Sequence, residues 1–491
     1  MHEQDFVAQD GLALARLLEA GQVTASELMD CAIGLAEQVH RRLNILCYPR
    51  FDAAREAAAG ARPHGTFGAL PFLLKDTGLA STALQGSVGS RLFAGMRSSV
   101  DAHLTTRFLA AGFLPFARTT VPEFCMAPTT EAVQNGGPTR NPWDPELSAG
   151  GSSGGAAVAV ATGVVPIAHG SDGGGSIRIP ASCCGVFGLK PSRGLVPFGP
   201  QRGEGWAGLA SDGVLSRTVR DTAAALDAIA GMDLGAPYAA PPRPASYLAE
   251  LPRPFDRPLR IARWSSAFDD IALAPECLAA VDAATRALDD LGHEVIEAPL
   301  PDLGFARFLD AMIDIMAASV TLTVNGYLRA HPEIDPAQAL EPAIFDALEQ
   351  GKRISAETYG LAINRFHSIG RKLAIYLSDY DFILTPTLTQ LPARLGEISM
   401  ADDFRSFRRK VGRYTTFLAI INASGQPAAS VPLHWTASGI PVGIQLVGRF
   451  GDESGVLRLS AQLESLAPWV GRLPARAGGV ARNEDIDVLV R

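Results

Sequence analysis

Gly150-Gly151-Ser152-Ser153-Gly154-Gly155 and Gly170-Ser171-Asp172-Gly173-Gly174-Gly175-Ser176-Ile177-Arg178-Ile179-Pro180 are two glycine-serine loops on either side of an almost wholly apolar stretch, residues 156–168. Glycine on both sides of a serine permits unusual backbone angles and close approach of a substrate, and consecutive peptide N–H groups can converge on an anion. Such a loop can mount a nucleophile and surround it with oxyanion donors. The apolar stretch between the loops must be packed, so the region is no linker, and its Ala/Val content predicts a buried helix.

So much glycine could instead cradle a phosphate, but neither nucleotide pattern fits. No G-x-x-x-x-G-K-[ST] occurs, and residues 173–176 do not spell G-x-G-x-x-G. The G-x-S-x-G elbow of α/β-hydrolases, with its downstream Asp and His, is not matched in its usual setting either.

Upstream of the loops, Thr24-Ala25-Ser26-Glu27 is a capping box opening an apolar-periodic helix that reaches His40, and residues 43–48 suit a short strand. Residues 70–74 are an apolar strand run that delivers Lys75-Asp76 to a strand end, where α/β enzymes place chemistry. Downstream, a helix is expected within 216–230, starting near Thr218, before a Pro-rich connector at 237–258 whose prolines forbid regular structure. Beyond it come a strand at 259–264, a helix at 276–291 closed by Gly292, and a strand at 294–298. Residues 303–380 read as mainly helical, and 382–384, 428–431 and 444–447 return to strand character and rejoin the central sheet.

The 491 residues carry 47% hydrophobic and 19% charged side chains, which suits a large core and leaves no long polar tract. A net charge of −8, with both signs scattered, excludes a basic face for nucleic acid. No signal peptide and no membrane span is expected, because the most apolar stretch is short and broken by Gly163 and Pro166. Six cysteines without a C-x-x-C pair or zinc spacing read as reduced thiols of a cytoplasmic protein.

The run from Gly150 to Ala181 resembles the amidase signature family, and the likeness extends to Leu74-Lys75-Asp76, Pro122-Glu123-Phe124, Thr139-Arg140-Asn141-Pro142-Trp143, Gly188-Leu189-Lys190-Pro191, Asn422 to Pro432 and Pro441-Val442-Gly443-Ile444-Gln445. Within the family, the pattern looks most like bacterial amidases of the 6-aminohexanoate cyclic dimer hydrolase branch. The resemblance implies an α/β/α fold with a large twisted mixed sheet flanked by helices. It implies one amidase domain over 1–491, with a signature core at about 65–235 and a variable, substrate-shaping helical segment at about 303–380.

It further implies that Ser176 is the nucleophile, that Ser152 is the bridging serine preceded by a cis peptide, and that Lys75 is the base. Gly173, Gly174 and Gly175 would supply the oxyanion hole, and the Phe124-Cys125-Met126-Ala127 loop would place Cys125 and Met126 against the substrate. No metal and no organic cofactor is called for. The expected partner is a small uncharged amide, with room for a homodimer.

The chemistry is intelligible from the residue types alone, since a serine hydroxyl needs a base and a lysine kept neutral by burial can be one. Asp172 and Arg178 read as supports for the loop, and Asp76, next to Lys75 on a strand, should face away from it. His169 is expected to be a packed histidine with no suitable aspartate beside it. Two departures from relatives stand out: Ser171 replaces threonine, and Gly173 replaces a branched residue. Near Ile315-Met316 the cyclic dimer hydrolase branch carries a cysteine that is missing here, which argues against that cyclic substrate. The rival readings are a glutaminase subunit of an amidotransferase and a catalytically silent binding module.

Overall fold

Thr24 caps the helix Ala25–Leu43 as the sequence predicts: its hydroxyl accepts the N–H of Glu27, and the Glu27 carboxylate accepts the N–H of Thr24. The helix runs on to Leu43 and stops where Asn44 turns left-handed, so only Leu46–Cys47 of the expected strand pairs. The computed structural model describes residues 1–474.

Three strands lie in a small sheet: β1 (Leu46–Cys47), β2 (Leu70–Lys75) and β3 (Phe113–Thr119), in the order β1-β3-β2. The large sheet takes β4 (Ile167–Asp172), β5 (Phe187–Lys190), β6 (Ser211–Ser216), β7 (Arg260–Arg263), β8 (Glu294–Glu297), β9 (Phe382–Pro386), β10 (Ala428–Trp435) and β11 (Pro441–Val447). Its order is β4-β6-β5-β10-β11-β9-β7-β8, antiparallel as far as β9 and parallel from β9 through β7 to β8. The strand that ends in Lys75 therefore belongs to the small sheet, and it lies beside β4, the edge of the large one. Helices Arg178–Cys184 and Pro275–Asp290 pack on β10 and β11, while Val219–Ile229, capped by Thr218, packs on β6 and Glu453–Leu466 packs on β10. The layering is α/β/α.

The apolar stretch between the two serine loops divides in a way its composition does not reveal. Helix Gly154–Ala161 is buried at every residue, which explains why it is apolar all round. Gly163, at φ +79°, ends it, and β4 begins at Ile167. The proline-rich connector is irregular except for one turn of helix, Tyr247–Glu250. The segment near 303–380 is helical as expected, with Phe305–Leu328 packed against Pro342–Gly351 and Ala356–Tyr376. Among the described residues, no helix is long and apolar enough to cross a membrane.

Candidate active site

Lys75 ends β2 fully buried, and its Nζ donates to Ser152 Oγ at 2.7 Å, to Ser171 Oγ at 2.8 Å and to the Ser171 carbonyl at 3.2 Å. Burial lowers the lysine's pKa from its ordinary value, because a charged ammonium is poorly solvated there. Its backbone is fixed as well: Arg118, buried in β3, donates to the Lys75 carbonyl at 3.1 Å. The Asp76 carboxylate turns away to accept from Ser87 and Gly89.

Ser152 is also fully buried, and the Gly151–Ser152 peptide is cis. The glycine before it is obligatory, because a Cβ at residue 151 would fall 2.4 Å from the Thr129 carbonyl oxygen. Ser153 links this loop to the next one: its N–H and its hydroxyl both donate to the Ser176 carbonyl, at 3.2 and 2.6 Å. The structure thus brings Lys75, Ser152 and Ser176 together. Ser176 retains 8% exposure, whereas Lys75 and Ser152 have none, so it is the member a substrate can reach. Among the described residues its hydroxyl makes no hydrogen bond, so the chain of contacts from Lys75 stops one link short of it.

Asp172 holds the nucleophile loop. Its carboxylate accepts the N–H groups of Gly175 (2.7 Å) and Ile177 (3.2 Å), and it is paired through two oxygens with the buried Arg178 guanidinium. Burial opposes its ionisation, but Arg178 and the Asn422 amide outweigh that and hold its pKa well below the usual carboxylate range. One consequence revises the expected donor set. The Gly175 N–H is spent on Asp172, while the N–H groups of Gly173 and Gly174 have no partner among the described residues.

His169 faces β2 rather than Ser176. Its Nδ1 accepts the Lys75 main-chain N–H at 3.2 Å, and its Nε2 meets Asp212 at 3.0 Å. An aspartate does accompany this histidine, contrary to expectation, and it comes from β6, whose residue 212 pairs with Ser171 across the ladder. Spacing along the chain cannot show such a partner.

Cys125 lies close enough to interact with Lys75 and the Ser152 hydroxyl, and burial pushes its thiol pKa up. Met126 is buried and its carbonyl accepts from Arg408 at 2.6 Å. Ile315 and Met316 are fully buried in the core. The residue of that helix that reaches the loop is Met312, whose Cε would lie 2.9 Å from a Cβ on Gly174. Arg118, Asp212, Met312, Asn422 and Trp206 were not assigned roles from sequence; Arg118, a charge within an otherwise apolar run, carried a local signal, and Asn422 opens the run 422–432 that resembles the family.

A buried lysine hydrogen-bonded to a serine, beside a second serine on a glycine loop at the edge of an α/β/α sheet, defines an amide hydrolase of the amidase signature class. The Amidase family model matches residues 27–457, and the chain belongs to that family. It is 34% identical to the 6-aminohexanoate-cyclic-dimer hydrolase of Pseudomonas sp. (strain NK87), over 95% of this chain and 96% of that one. The solved structure of 6-aminohexanoate cyclic dimer hydrolase complexed with substrate matches with a TM-score of 0.90 at 32% identity, covering 95% of this chain and 99% of that one. A bacterial aryl acylamidase of the amidase signature family matches with a TM-score of 0.84 at 26% identity, covering 94% and 99%.

Proposed function

We propose that the protein hydrolyses a small, uncharged amide bearing a hydrophobic or aromatic group, through an acyl-enzyme on Ser176. The observation that carries this reading is the buried 2.7 Å link from Lys75 to Ser152, next to Ser176, the member of the three that is not fully buried. A neutral Lys75 keeps two N–H groups for Ser171 and offers its lone pair to the Ser152 hydroxyl. Ser152 in turn takes the proton of Ser176 as Ser176 Oγ bonds to the carbonyl carbon. The new oxyanion faces the N–H groups of Gly173 and Gly174, each well-placed donor contributing about 3–4 kcal/mol.

Collapse breaks the carbon–nitrogen bond, and the relay returns the proton to the departing amine. Water then attacks the acyl-enzyme along the same path, releasing the acid and restoring Ser176. Each step uses this chain's own groups. The surroundings of the loop are apolar, with Cys125, Met312, Trp206 and Leu418 close by, which favours a desolvated, uncharged substrate. Carbamates and esters share the same carbonyl chemistry. The cyclic dimer itself is not proposed, since Ile315-Met316 lacks the cysteine of that branch.

The test is hydrolysis of a panel of anilides, primary amides, carbamates and esters of graded acyl length, with Ser176→Ala as the blank, alongside labelling by a fluorophosphonate probe. Turnover of neutral amides and labelling at Ser176 are expected. A wild-type protein that neither turns over any member nor is labelled would overturn the reading.

A further inference from the structure

We propose that Trp206 is a specificity-determining residue, an aromatic wall beside the oxyanion donors against which a planar aryl or conjugated group next to the scissile bond packs. The proposal rests on the Ser176 reading above and names the substrate class of that site.

A Cβ built on Gly173 would lie 2.6 Å from both Cε3 and Cζ3 of Trp206. The benzo edge of the indole thus occupies the space that a side chain at residue 173 would fill. The ring stands beside Gly173, whose N–H, like that of Gly174, is an unpartnered donor of the nucleophile loop.

The position of the ring is enforced by the turn that carries it. Trp206, Ala207 and Gly208 are consecutive left-handed residues, at φ +51°, +52° and +80°, a conformation non-glycine residues adopt only when their surroundings impose it. Two side chains impose it. Arg193 donates to the Gly208 carbonyl at 2.6 Å, and the Asn422 amide donates to the Leu209 carbonyl at 3.0 Å and to the Asp172 carbonyl at 2.9 Å. Asn422 therefore ties the tryptophan turn directly to the residue that holds the nucleophile loop. The indole packs against the core on one side and is only partly buried, so part of the ring stays exposed.

The experiment compares kcat/KM for amides carrying an aryl ring on the acyl side or on the amine side with their saturated cyclohexyl counterparts, in wild type, Trp206→Phe and Trp206→Leu. Wild type is expected to favour the aryl member of at least one pair by about threefold to tenfold, the range of aromatic pairing energies. Trp206→Phe should keep most of that preference and Trp206→Leu should erase it, with fluorophosphonate labelling of Ser176 retained in both. The aryl-to-cyclohexyl ratio is the decisive readout, because a general structural defect lowers both rates together. Should Trp206→Leu fail to fold, Trp206→Met serves in its place. No aryl preference in wild type, or a preference unchanged in Trp206→Leu, overturns the proposal while leaving amide hydrolysis intact. A wild-type enzyme that is neither active nor labelled brings down the Ser176 reading and this proposal with it.

Discussion

The main-chain N–H of Lys75 donates to Nδ1 of His169 at 3.2 Å, so the histidine nearest the candidate nucleophile supports the backbone of the lysine. An Nδ1 that accepts and an Nε2 that meets Asp212 at 3.0 Å together describe the neutral tautomer with its proton on Nε2, and burial lowers the histidine's pKa in the same sense. The side chain spans the junction between the small sheet and the large one.

That arrangement fixes which group a pH profile should report. Free lysine has a pKa of about 10.4 and is protonated at neutral pH, and burial lowers that value for Lys75. The active form is the deprotonated one, so kcat/KM should rise as pH increases from neutral to mildly alkaline. His169→Asn should lower activity without changing the shape of the rising limb. A profile whose limb moves or vanishes in His169→Asn would assign the base to the wrong residue.

Lys75→Ala should reduce kcat by about 10²–10⁴, the usual contribution of a positioned base. Ser176→Ala should abolish both turnover and fluorophosphonate labelling, and Ser152→Ala should retain a trace of activity, because water can occupy the place of the bridging hydroxyl. Steady-state kinetics on one hydrolysed amide checks all three, and Ser152→Ala as active as wild type would remove the bridging serine from the relay.

Arg178→Leu should destabilise the fold by about 3–5 kcal/mol, the cost of leaving a buried charge without its partner, here Asp172. Urea denaturation measures it. A change below about 1 kcal/mol would mean that the Asn422 amide and the loop N–H groups satisfy Asp172 on their own.

Gly151→Ala should destabilise by about 3 kcal/mol or more, because the new methyl meets the Thr129 main chain, at 2.4 Å from its oxygen, and that main chain has little freedom to shift. Gly360→Ala is the matched control. Nothing lies within 4 Å of a Cβ there, and the residue sits inside helix Ala356–Tyr376, so alanine should stabilise by up to about 1 kcal/mol. Thermal denaturation of the pair reads both, and equal Tm values for the two variants would contradict the close approach at Gly151.

Much of the fold was legible in local chemistry: the Thr24 capping box, the Thr218 start of helix Val219–Ile229 and the strand that ends in Lys75 all follow from nearest-neighbour patterns. The two serine loops were legible for the same reason, since glycine clusters announce unusual backbone. What stayed hidden depends on register between distant strands and turns. Asp212 reaches His169 because β6 pairs with β4, and Trp206 reaches Gly173 through a turn held by Asn422 and Arg193. The division of residues 156–168 between helix and strand was hidden for another reason: both are buried, so neither shows the amphipathic period that separates them.

The order of strands in the large sheet has a consequence for how the chain is made. β10 and β11, its last two strands in sequence, lie in its middle, between β5 and β9. A ribosome delivers the two flanking groups of strands first, so each waits with an open edge until residues 428–447 emerge and close the gap. Asn422, which anchors Asp172 and the tryptophan turn, emerges only shortly before them. Synthesis therefore yields a hydrolase late: a nascent chain that already carries Lys75, Ser152 and Ser176 lacks the part that locks them into a working arrangement, and its exposed edges need protection until that part arrives.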